Sequence, residues 1–523
     1  MLDVIIRGAR VMNGTGGPWF EADVAVRAGR IAAVGDLARE DAGEVIDAAG
    51  LTLAPGFIDI HSHSDFNLLV DPRAPSKLLQ GVTSEVIGQC GISAAPLDAR
   101  GMAEVHERWP EVFSPEVSWA SMSQYLRLLD HRGVGVNVLP VVGHGNIRSL
   151  AMGEEDRAPS AEEMERMKRV LRDALRDGAF GMSTGLIYPP GVYSEGEELF
   201  GLGEVLGEFD AIYFTHLRDE REYLVEALGE AIEVGNRGGC RVQISHLKAF
   251  ERANWGLVEE ALQVMERARS EGLDITGDAY PYTASSTSLR TTLPDWVHDG
   301  GKEAMLRRLA DARTKERIIE EWGDSIEWDD IMIATVNGEG NRALEGRTVA
   351  GVAAERAADP RKLVLDLLED EDGETTMVYR GMCEEDVKRV LTSPLVMIGS
   401  DGSALSPEGP LGRGKPHPRN YGTFPRVIGR YAREEGIMPV ELAVAKMTSW
   451  PAAKLGLLDR GLIAPGFAAD LVLFDPDTIR DTATYEEPHS FPAGIDTVLV
   501  NGGMAVRGGR PAGALFGEVL LRS

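Results

Sequence analysis

The stretch that organises this 523-residue sequence is Pro55-Gly-Phe-Ile-Asp-Ile-His-Ser-His-Ser-Asp65. Residues 57–60 form a short apolar run, which predicts a buried strand. His61 and His63 follow it, and side chains two residues apart on an extended chain point to the same side. Such a pair can bind one metal ion, although an isolated His-x-His is also common in ordinary loops. The rest of the chain has to decide between these two interpretations.

The region from about residue 55 to 450 alternates short apolar strands with helical segments, which is typical of a parallel α/β fold. Helices with a period near 3.6 residues are predicted at 161–177, 224–235 and 254–270. Eight buried strands are predicted, at residues 57–60, 84–87, 137–142, 178–182, 211–215, 242–245, 274–277 and 396–399. Eight such strand–helix units predict a (β/α)8 barrel of the TIM type.

Two other kinds of region accompany the predicted barrel. Residues 1–54 and 451–523 carry alternating strands at opposite ends of the chain, and we expect them to pair as one discontinuous β-sandwich. The long charged region at about 290–375 has one clear strand, at 331–336, and is predicted to be a subdomain inserted between barrel strands seven and eight. The predicted domains are therefore a sandwich part at 1–54, the barrel at 55–450 and a second sandwich part at 451–523.

The composition restricts the possible functions. Lys and Arg total 54 against 83 Asp and Glu, and the formal net charge of −29 disfavours binding to nucleic acid or to anionic membranes. No apolar run approaches the length of a membrane span, and the N-terminus does not resemble a secretory signal. Only three widely separated cysteines occur, which argues against a disulfide framework. We therefore expect a cytoplasmic protein that acts on a small molecule.

Reactive side chains follow five of the eight predicted strands. They are His61 and His63 after the first strand, Cys90 after the second, His216 after the fifth, His246 after the sixth and Asp401 after the eighth. The active site of such a barrel lies at the carboxyl ends of its strands, so these side chains should share one site. Imidazole and thiolate are ligands that zinc prefers. The sequence therefore predicts a zinc site, and His144, after the third strand, is a further candidate for its pocket.

Several separated motifs add a resemblance that covers essentially the whole chain. The stretch at 55–63 and Gly461-Leu-Ile-Ala-Pro-Gly-Phe-Ala-Ala-Asp-Leu-Val472 resemble the opening and closing segments of the amidohydrolase superfamily. Within it, the chain resembles the D-aminoacylase (N-acyl-D-amino-acid deacylase) family. The motifs are Gly88-Gln-Cys-Gly-Ile-Ser-Ala-Ala-Pro-Leu97, Ser183-Thr-Gly-Leu-Ile-Tyr-Pro-Pro-Gly191, Ile244-Ser-His-Leu-Lys248, Asp278-Ala-Tyr-Pro-Tyr-Thr-Ala-Ser-Ser286 and Pro416-His-Pro-Arg-Asn-Tyr-Gly-Thr-Phe-Pro-Arg426.

The resemblance implies roles for the site residues. It implies a tightly bound zinc ion held by Cys90, His216 and His246. A second, looser metal position would involve His61 and His63, with Asp401 nearby as the catalytic acid and base. Many amidohydrolases bridge two metals with a carboxylated lysine, and the cysteine in that region is a departure from hydantoinases. The implied substrate contacts are Tyr188, Lys248, Tyr280, Ser286 and Arg419, with Lys248 and Arg419 on the α-carboxylate.

The implied activity is zinc-dependent hydrolysis of the linear amide bond of an N-acyl-D-amino acid, which gives a carboxylate and a free D-amino acid. Asp401 would move a proton from the attacking water to the amide nitrogen, which is too basic to leave as an anion. Two alternatives stay open: a hydrolase of cyclic amides such as hydantoins, and a catalytically silent scaffold on the same fold. The preferred side chain and acyl group, the number of functional metals, the oligomeric state and the role of the long loop 402–415 are also open.

Overall fold

The protein is described here by a computed structural model that covers residues 1–110, 112–114, 116–323 and 326–522. Its centre is a ring of parallel strands, which confirms the predicted (β/α)8 barrel. The barrel strands are Phe57–Asp59, Val82–Ile87, Asn137–Pro140 with its continuation Val142–Gly143, Gly181–Gly185, Ile212–His216, Arg241–Ile244, Ile275–Ala279 and Val396–Ile398.

Two seams close this ring. Asn137–Pro140 pairs with the second barrel strand and Val142–Gly143 pairs with the fourth, so the third strand joins two hydrogen-bonded sheets. At the other seam, Ser62 and Gly402 form a parallel bridge, and the Asp401 backbone N donates to the His61 carbonyl at 2.9 Å. The first and eighth strands therefore meet where the sequence places its candidate site residues.

The barrel helices pack one apolar face against the strands. In Ala161–Arg176, Met167, Leu171 and Leu175 are buried at a spacing of four residues, and Ser160 begins the helix with a capping box. No helix in the described part of the chain is long and apolar enough to cross a membrane. The helices are Asn67–Val70, Pro75–Leu78, Ala99–Arg108, Met122–Arg132, His144–Met152, Ala161–Arg176, Gly196–Glu208, Leu224–Gly238, Leu257–Ser270, Glu384–Thr392, Arg419–Arg426, Val440–Met447 and Ser449–Leu455, with a π-helical segment at Val427–Glu434.

Strands from both ends of the chain form one nine-stranded sheet, as the sequence predicts for the flanking β-sandwich. The antiparallel pair of Thr52–Pro55 and Leu471–Phe474 joins the two halves. The predicted division at residue 450 falls inside the helix Ser449–Leu455, which packs on barrel residues, and the domain boundaries stay predictions. The strands are Leu2–Val11, Phe20–Arg27, Arg30–Gly35, Ala42–Asp47, Thr52–Pro55, Leu471–Phe474, Ile495–Val500, Gly503–Arg507 and Arg510–Pro511.

The region between barrel strands seven and eight is a subdomain with its own apolar core. Its antiparallel strands are Ser285–Ser288, Ile331–Thr335 and Thr376–Tyr379. Its helices are Lys302–Leu309, Ala312–Trp322, Val349–Glu355 and Pro360–Asp370. The first of these strands, Ser285–Ser288, starts before the predicted onset near residue 290, so Ser286 belongs to the subdomain. Through Ser286 the subdomain reaches the mouth of the barrel.

The fourth barrel strand differs from the prediction in position. The sequence predicts it at 178–182, and it lies at Gly181–Gly185. Gly178 has a φ of +106°, which takes the chain out of the extended conformation. The strand then runs further because its register pairs Gly181 with Ile212 and Gly185 with His216. Long-range pairing, rather than local apolar character, therefore sets its ends.

Candidate metal centre and active site

The predicted metal and catalytic side chains come together at the carboxyl ends of the barrel strands. Cys90 Sγ lies 3.4 Å from His61 Nε2 and 3.4 Å from His246 Nε2. Asp401 Oδ1 lies 3.4 Å from His61 Nε2 and 2.9 Å from His63 Nε2. One ligand atom from each of His61, Cys90, His246 and Asp401 lies within 4.8 Å of the others. Nitrogen, thiolate and carboxylate donors this close together suit a zinc ion.

His216 lies beside this cluster rather than inside it. Its ring packs edge-on against His246, with 4.4 Å between the ring centroids. The ring is buried, yet neither nitrogen has a hydrogen-bond partner within the described residues. A buried polar group without a partner costs about 1–3 kcal/mol, so these nitrogens fit a residue that binds a metal. The resemblance assigns Cys90, His216 and His246 to a tightly bound zinc ion and His61 and His63 to a looser metal position. In the structure, Cys90 contacts His246 from the first set and His61 from the second.

Backbone conformation aims three of these residues into the barrel mouth. Cys90, His246 and Asp401 have φ values of 52°, 36° and 49°, in the left-handed region that non-glycine residues rarely adopt. Each such conformation costs on the order of 1–3 kcal/mol and persists where the surroundings enforce it. At Gly91, a Cβ would come within 2.7 Å of the Gly185 backbone N. The second and fourth strands can therefore approach closely only without a side chain there.

The imidazoles around Cys90 favour its thiolate form. Burial raises the pKa of Cys90, but the neighbouring His61 and His246 outweigh it, and the pKa lies well below its usual value. Burial lowers the pKa of His61, but Asp278 and Cys90 raise it well above the usual range. Asp278 Oδ1 also lies 3.1 Å from His61 Nδ1, which fixes the ring. The thiolate is the form of cysteine that binds metals.

Asp401 is held as a carboxylate. Burial raises its pKa, but Arg419, His246, His63 and His61 bring it well below the usual value, with Arg419 the largest of these. Arg419 Nη1 donates to Asp401 Oδ2 at 2.7 Å, and Nη2 donates to the Ser286 carbonyl at 3.1 Å. Arg419 therefore ties the eighth strand to the inserted subdomain, a contact that the sequence does not reveal.

The other predicted substrate contacts surround the cluster. The Tyr188 ring lies 5.1 Å from the His216 ring, and its hydroxyl accepts from Thr287 Oγ1 at 3.2 Å. The Tyr280 hydroxyl is buried and has no hydrogen-bond partner in the described part of the chain. Lys248 Nζ donates to Glu220 Oε1 at 2.5 Å. Lys248 thus has an acidic partner that the sequence analysis missed.

The only sequence signal for Glu220 is its position four residues after His216. It stands in the charged run Arg218-Asp-Glu-Arg-Glu222, which has the composition of an exposed loop. Its side chain is nevertheless only 11% exposed.

His144 is a candidate pocket residue in the sequence, but in the structure its Nε2 lies 2.7 Å from Glu198 Oε1. That carboxylate also pairs with the buried Arg148, which supports a structural role for His144.

A (β/α)8 barrel with histidine, cysteine and carboxylate donors at its strand ends defines a class of metal-dependent hydrolases. The model of the amidohydrolase family matches residues 44–506 of this chain. The chain therefore belongs to the amidohydrolase family, and the predicted resemblance is confirmed.

Three known proteins resemble the chain along nearly its whole length. N-acyl-D-glutamate deacylase from Alcaligenes xylosoxydans xylosoxydans is 38% identical over 503 residues, which cover 96% of this chain and 93% of the relative. A crystal structure of N-acyl-D-glutamate deacylase from Bordetella bronchiseptica, with zinc and a phosphonate mimic of the tetrahedral intermediate, has a TM-score of 0.84 at 36% identity and covers 99% of both chains. A D-aminoacylase with a binuclear metal centre, described by one-metal activation and second-metal attenuation, has a TM-score of 0.85 at 37% identity and covers 100% of both chains.

Proposed function

We propose that the protein hydrolyses N-acyl-D-amino acids, in a zinc-dependent reaction, to a carboxylate and a free D-amino acid. One observation carries the proposal. His61, Cys90, His246 and Asp401 bring their donor atoms within 4.8 Å of one another, in a chain 38% identical to an N-acyl-D-glutamate deacylase. The free thiols of Cys90, Cys240 and Cys383 agree with a cytoplasmic location.

Cys90, His216 and His246 would hold the tight zinc ion, and His61 and His63 the looser one. The lowered pKa of the Cys90 thiol and the unpartnered nitrogens of His216 support this assignment. When bound, zinc supplies Lewis acidity, which polarises an acyl carbonyl and lowers the pKa of water, so that water can lose a proton and attack near neutral pH. The second-metal attenuation described for a D-aminoacylase agrees with a looser position that activity does not need.

Asp401 would act as the general base and then as the general acid. Its ionised carboxylate can take a proton from the attacking water at Oδ1 and return it to the amide nitrogen of the leaving D-amino acid. Its Oδ2 stays with Arg419, which keeps the carboxylate in place. The C–N bond breaks as the nitrogen gains that proton, so the immediate products are a carboxylic acid and a neutral amine, and the acid then loses its proton to solvent to give the carboxylate.

Substrate binding would use the residues around the cluster. The free hydroxyl of Tyr280 can donate to the oxygen that becomes negative during attack. A guanidinium has five N–H donors, so the contacts of Arg419 with Asp401 and Ser286 leave donors for the substrate α-carboxylate. Ser286 and Thr287 bring the inserted subdomain to the same place, so it would cover the bound substrate as a lid.

The test is a panel of N-acetyl-D-amino acids, N-acetyl-L-amino acids and hydantoin, with the zinc content measured on the same sample. We expect zinc in the purified protein, hydrolysis of the D-substrates, and little or no hydrolysis of the L-substrates or of hydantoin. The panel includes acidic and neutral D-side chains, because the relatives are named for D-glutamate or for D-amino acids in general. Hydantoin hydrolysis without cleavage of any N-acetyl-D-amino acid would overturn the proposal in favour of a cyclic-amide hydrolase.

A further inference from the structure

Glu220 contacts the two histidines that stand next to each other in the candidate metal centre. Its Oε1 lies 3.0 Å from His246 Nδ1, and its Oε2 lies 3.5 Å from His216 Nε2. Its side chain is 11% exposed, in the loop that follows the fifth barrel strand. Lys248 Nζ also donates to Glu220 Oε1 at 2.5 Å. The group beside both imidazoles is therefore an acceptor that a lysine holds in place.

We propose that Glu220 is a positioning residue that decides which nitrogen His216 and His246 each present to the metal. The inference rests on the proposed zinc-dependent function and extends it to a residue outside the predicted ligand set. A metal-binding histidine commonly donates its other ring N–H to a carboxylate, which fixes the tautomer and the ring orientation. Glu220 has one carboxylate oxygen beside each ring, Oε1 beside His246 and Oε2 beside His216.

The contacts of His246 show which of its ring nitrogens would face the metal. Its Nε2 lies 3.4 Å from Cys90 Sγ, on the side of the metal cluster, and its Nδ1 faces Glu220. A neutral imidazole carries one proton. When Nδ1 donates that proton to Glu220, Nε2 keeps its lone pair for the metal.

Lys248 makes Glu220 necessary for this arrangement. Lys248 Nζ lies 2.7 Å from His246 Nδ1 and 2.5 Å from Glu220 Oε1. An ammonium group has no acceptor, so Lys248 can bond to Nδ1 only if that nitrogen is unprotonated. The imidazole proton would then sit on Nε2 and block the metal. Glu220 prevents this because it accepts from Lys248 and from His246 together.

The same carboxylate orients His216. His216 Nε2 faces Glu220 Oε2 at 3.5 Å, whereas Nδ1 points away from this carboxylate contact, and neither nitrogen has a hydrogen-bond partner among the described residues. Glu220 therefore leaves Nδ1 of His216 and Nε2 of His246 for the metal. One side chain lies against both rings, so its removal should lower metal affinity.

The experiment measures zinc affinity, by competition with a chelator of known affinity, in Glu220→Met, Glu220→Gln and the double variant Glu220→Met with Lys248→Met. Removing an outer partner of a metal ligand lowers metal affinity about 10–100-fold. We expect that loss in Glu220→Met, a smaller loss in Glu220→Gln, which keeps an acceptor oxygen, and partial recovery in the double variant. Glu222→Gln is the matched control, because Glu222 is exposed in the same loop and its zinc affinity should not change.

The melting temperature of each metal-free variant separates positioning from folding. This melting temperature should stay close to that of the metal-free wild type, which would show that the substitution affects zinc binding and not folding. Unchanged zinc affinity in Glu220→Met would overturn the inference alone, and so would a double variant that binds no better than the single one. A wild-type protein that binds no zinc would overturn the proposed function as well.

Discussion

Lys77 is a fully buried ammonium group that contacts residues in the first and second barrel strands and just after the eighth, and its removal should destabilise the barrel strongly. Its Nζ donates to Asp59 Oδ2 at 2.7 Å and to Ser400 Oγ at 3.0 Å, and it lies 3.4 Å from Glu85 Oε2. Asp59 ends the first barrel strand, Glu85 lies in the second, and Ser400 follows the eighth. Lys77 therefore binds together the strands on both sides of the barrel seam.

Lys77→Met keeps most of the side-chain volume and removes the charge. It leaves Asp59 and Glu85, both fully buried, without their cation. Breaking a buried ion pair by removing one partner costs about 3–5 kcal/mol, because the remaining charge is uncompensated. We expect a loss of that size in the free energy of unfolding. Activity should also fall, since Lys77 Nζ bonds to Ser400 and to the Gly402 carbonyl, the two residues that flank Asp401.

The assay is urea unfolding followed by circular dichroism on metal-free protein, so that zinc binding does not contribute to stability. The double variant Lys77→Met with Asp59→Asn leaves one uncompensated carboxylate, Glu85, in place of two, and should lose less than the single variant. Lys168→Met is the control, because its ion pair with Glu204 is exposed and should contribute at most about 1 kcal/mol. A loss in Lys77→Met no larger than in Lys168→Met would show that Lys77 does not hold the barrel seam together.

Three further outcomes follow from the site and the core. Cys90→Ala removes the sulfur donor between two imidazoles, so zinc content and activity should both disappear; full zinc occupancy would contradict the ligand assignment. Asp401→Asn should keep zinc but lower kcat about 10²–10⁴-fold in steady-state assays; an unchanged kcat would remove it as the general base. Burial lowers the pKa of Lys446 to about 7. The unfolding free energy of the wild type minus that of Lys446→Met, measured by urea unfolding, should therefore rise between pH 7 and 9 by up to about 1.4 kcal/mol per pH unit. A difference that does not change with pH would contradict this.

Much of the site could be predicted from the sequence because the carboxyl ends of parallel strands meet at one face. That rule brings Cys90, His246 and Asp401 together from distant parts of the chain, and the structure places them in contact or within one cluster. The rule does not give pairwise distances. The sequence could not show that Cys90 lies equally close to His61 and His246, nor that Arg419 is bound to Asp401.

The missed features depend on tertiary packing. Glu220 lies in a charged run that is typical of an exposed loop, and only the surrounding barrel buries it against two histidines. The fourth strand is displaced because its pairing with Ile212–His216, rather than local apolar character, fixes its ends. The inserted subdomain starts with the polar strand Ser285–Ser288, whose partner Thr376–Tyr379 lies far along the chain. Local sequence patterns contain no information of this kind.

The nine-stranded sheet also affects how the protein is made. Thr52–Pro55 leads directly into the first barrel strand, yet its partner Leu471–Phe474 lies about 400 residues later. At a translation rate of about 5–20 residues per second, roughly 20–80 s separate the synthesis of the two strands. During that time the apolar edge of Thr52–Pro55 that pairs with Leu471–Phe474 is unpaired in the nascent chain, and the nine-stranded sheet is completed only after the later strands leave the ribosome. A chaperone that shields such edges would therefore be expected to raise the yield of folded protein.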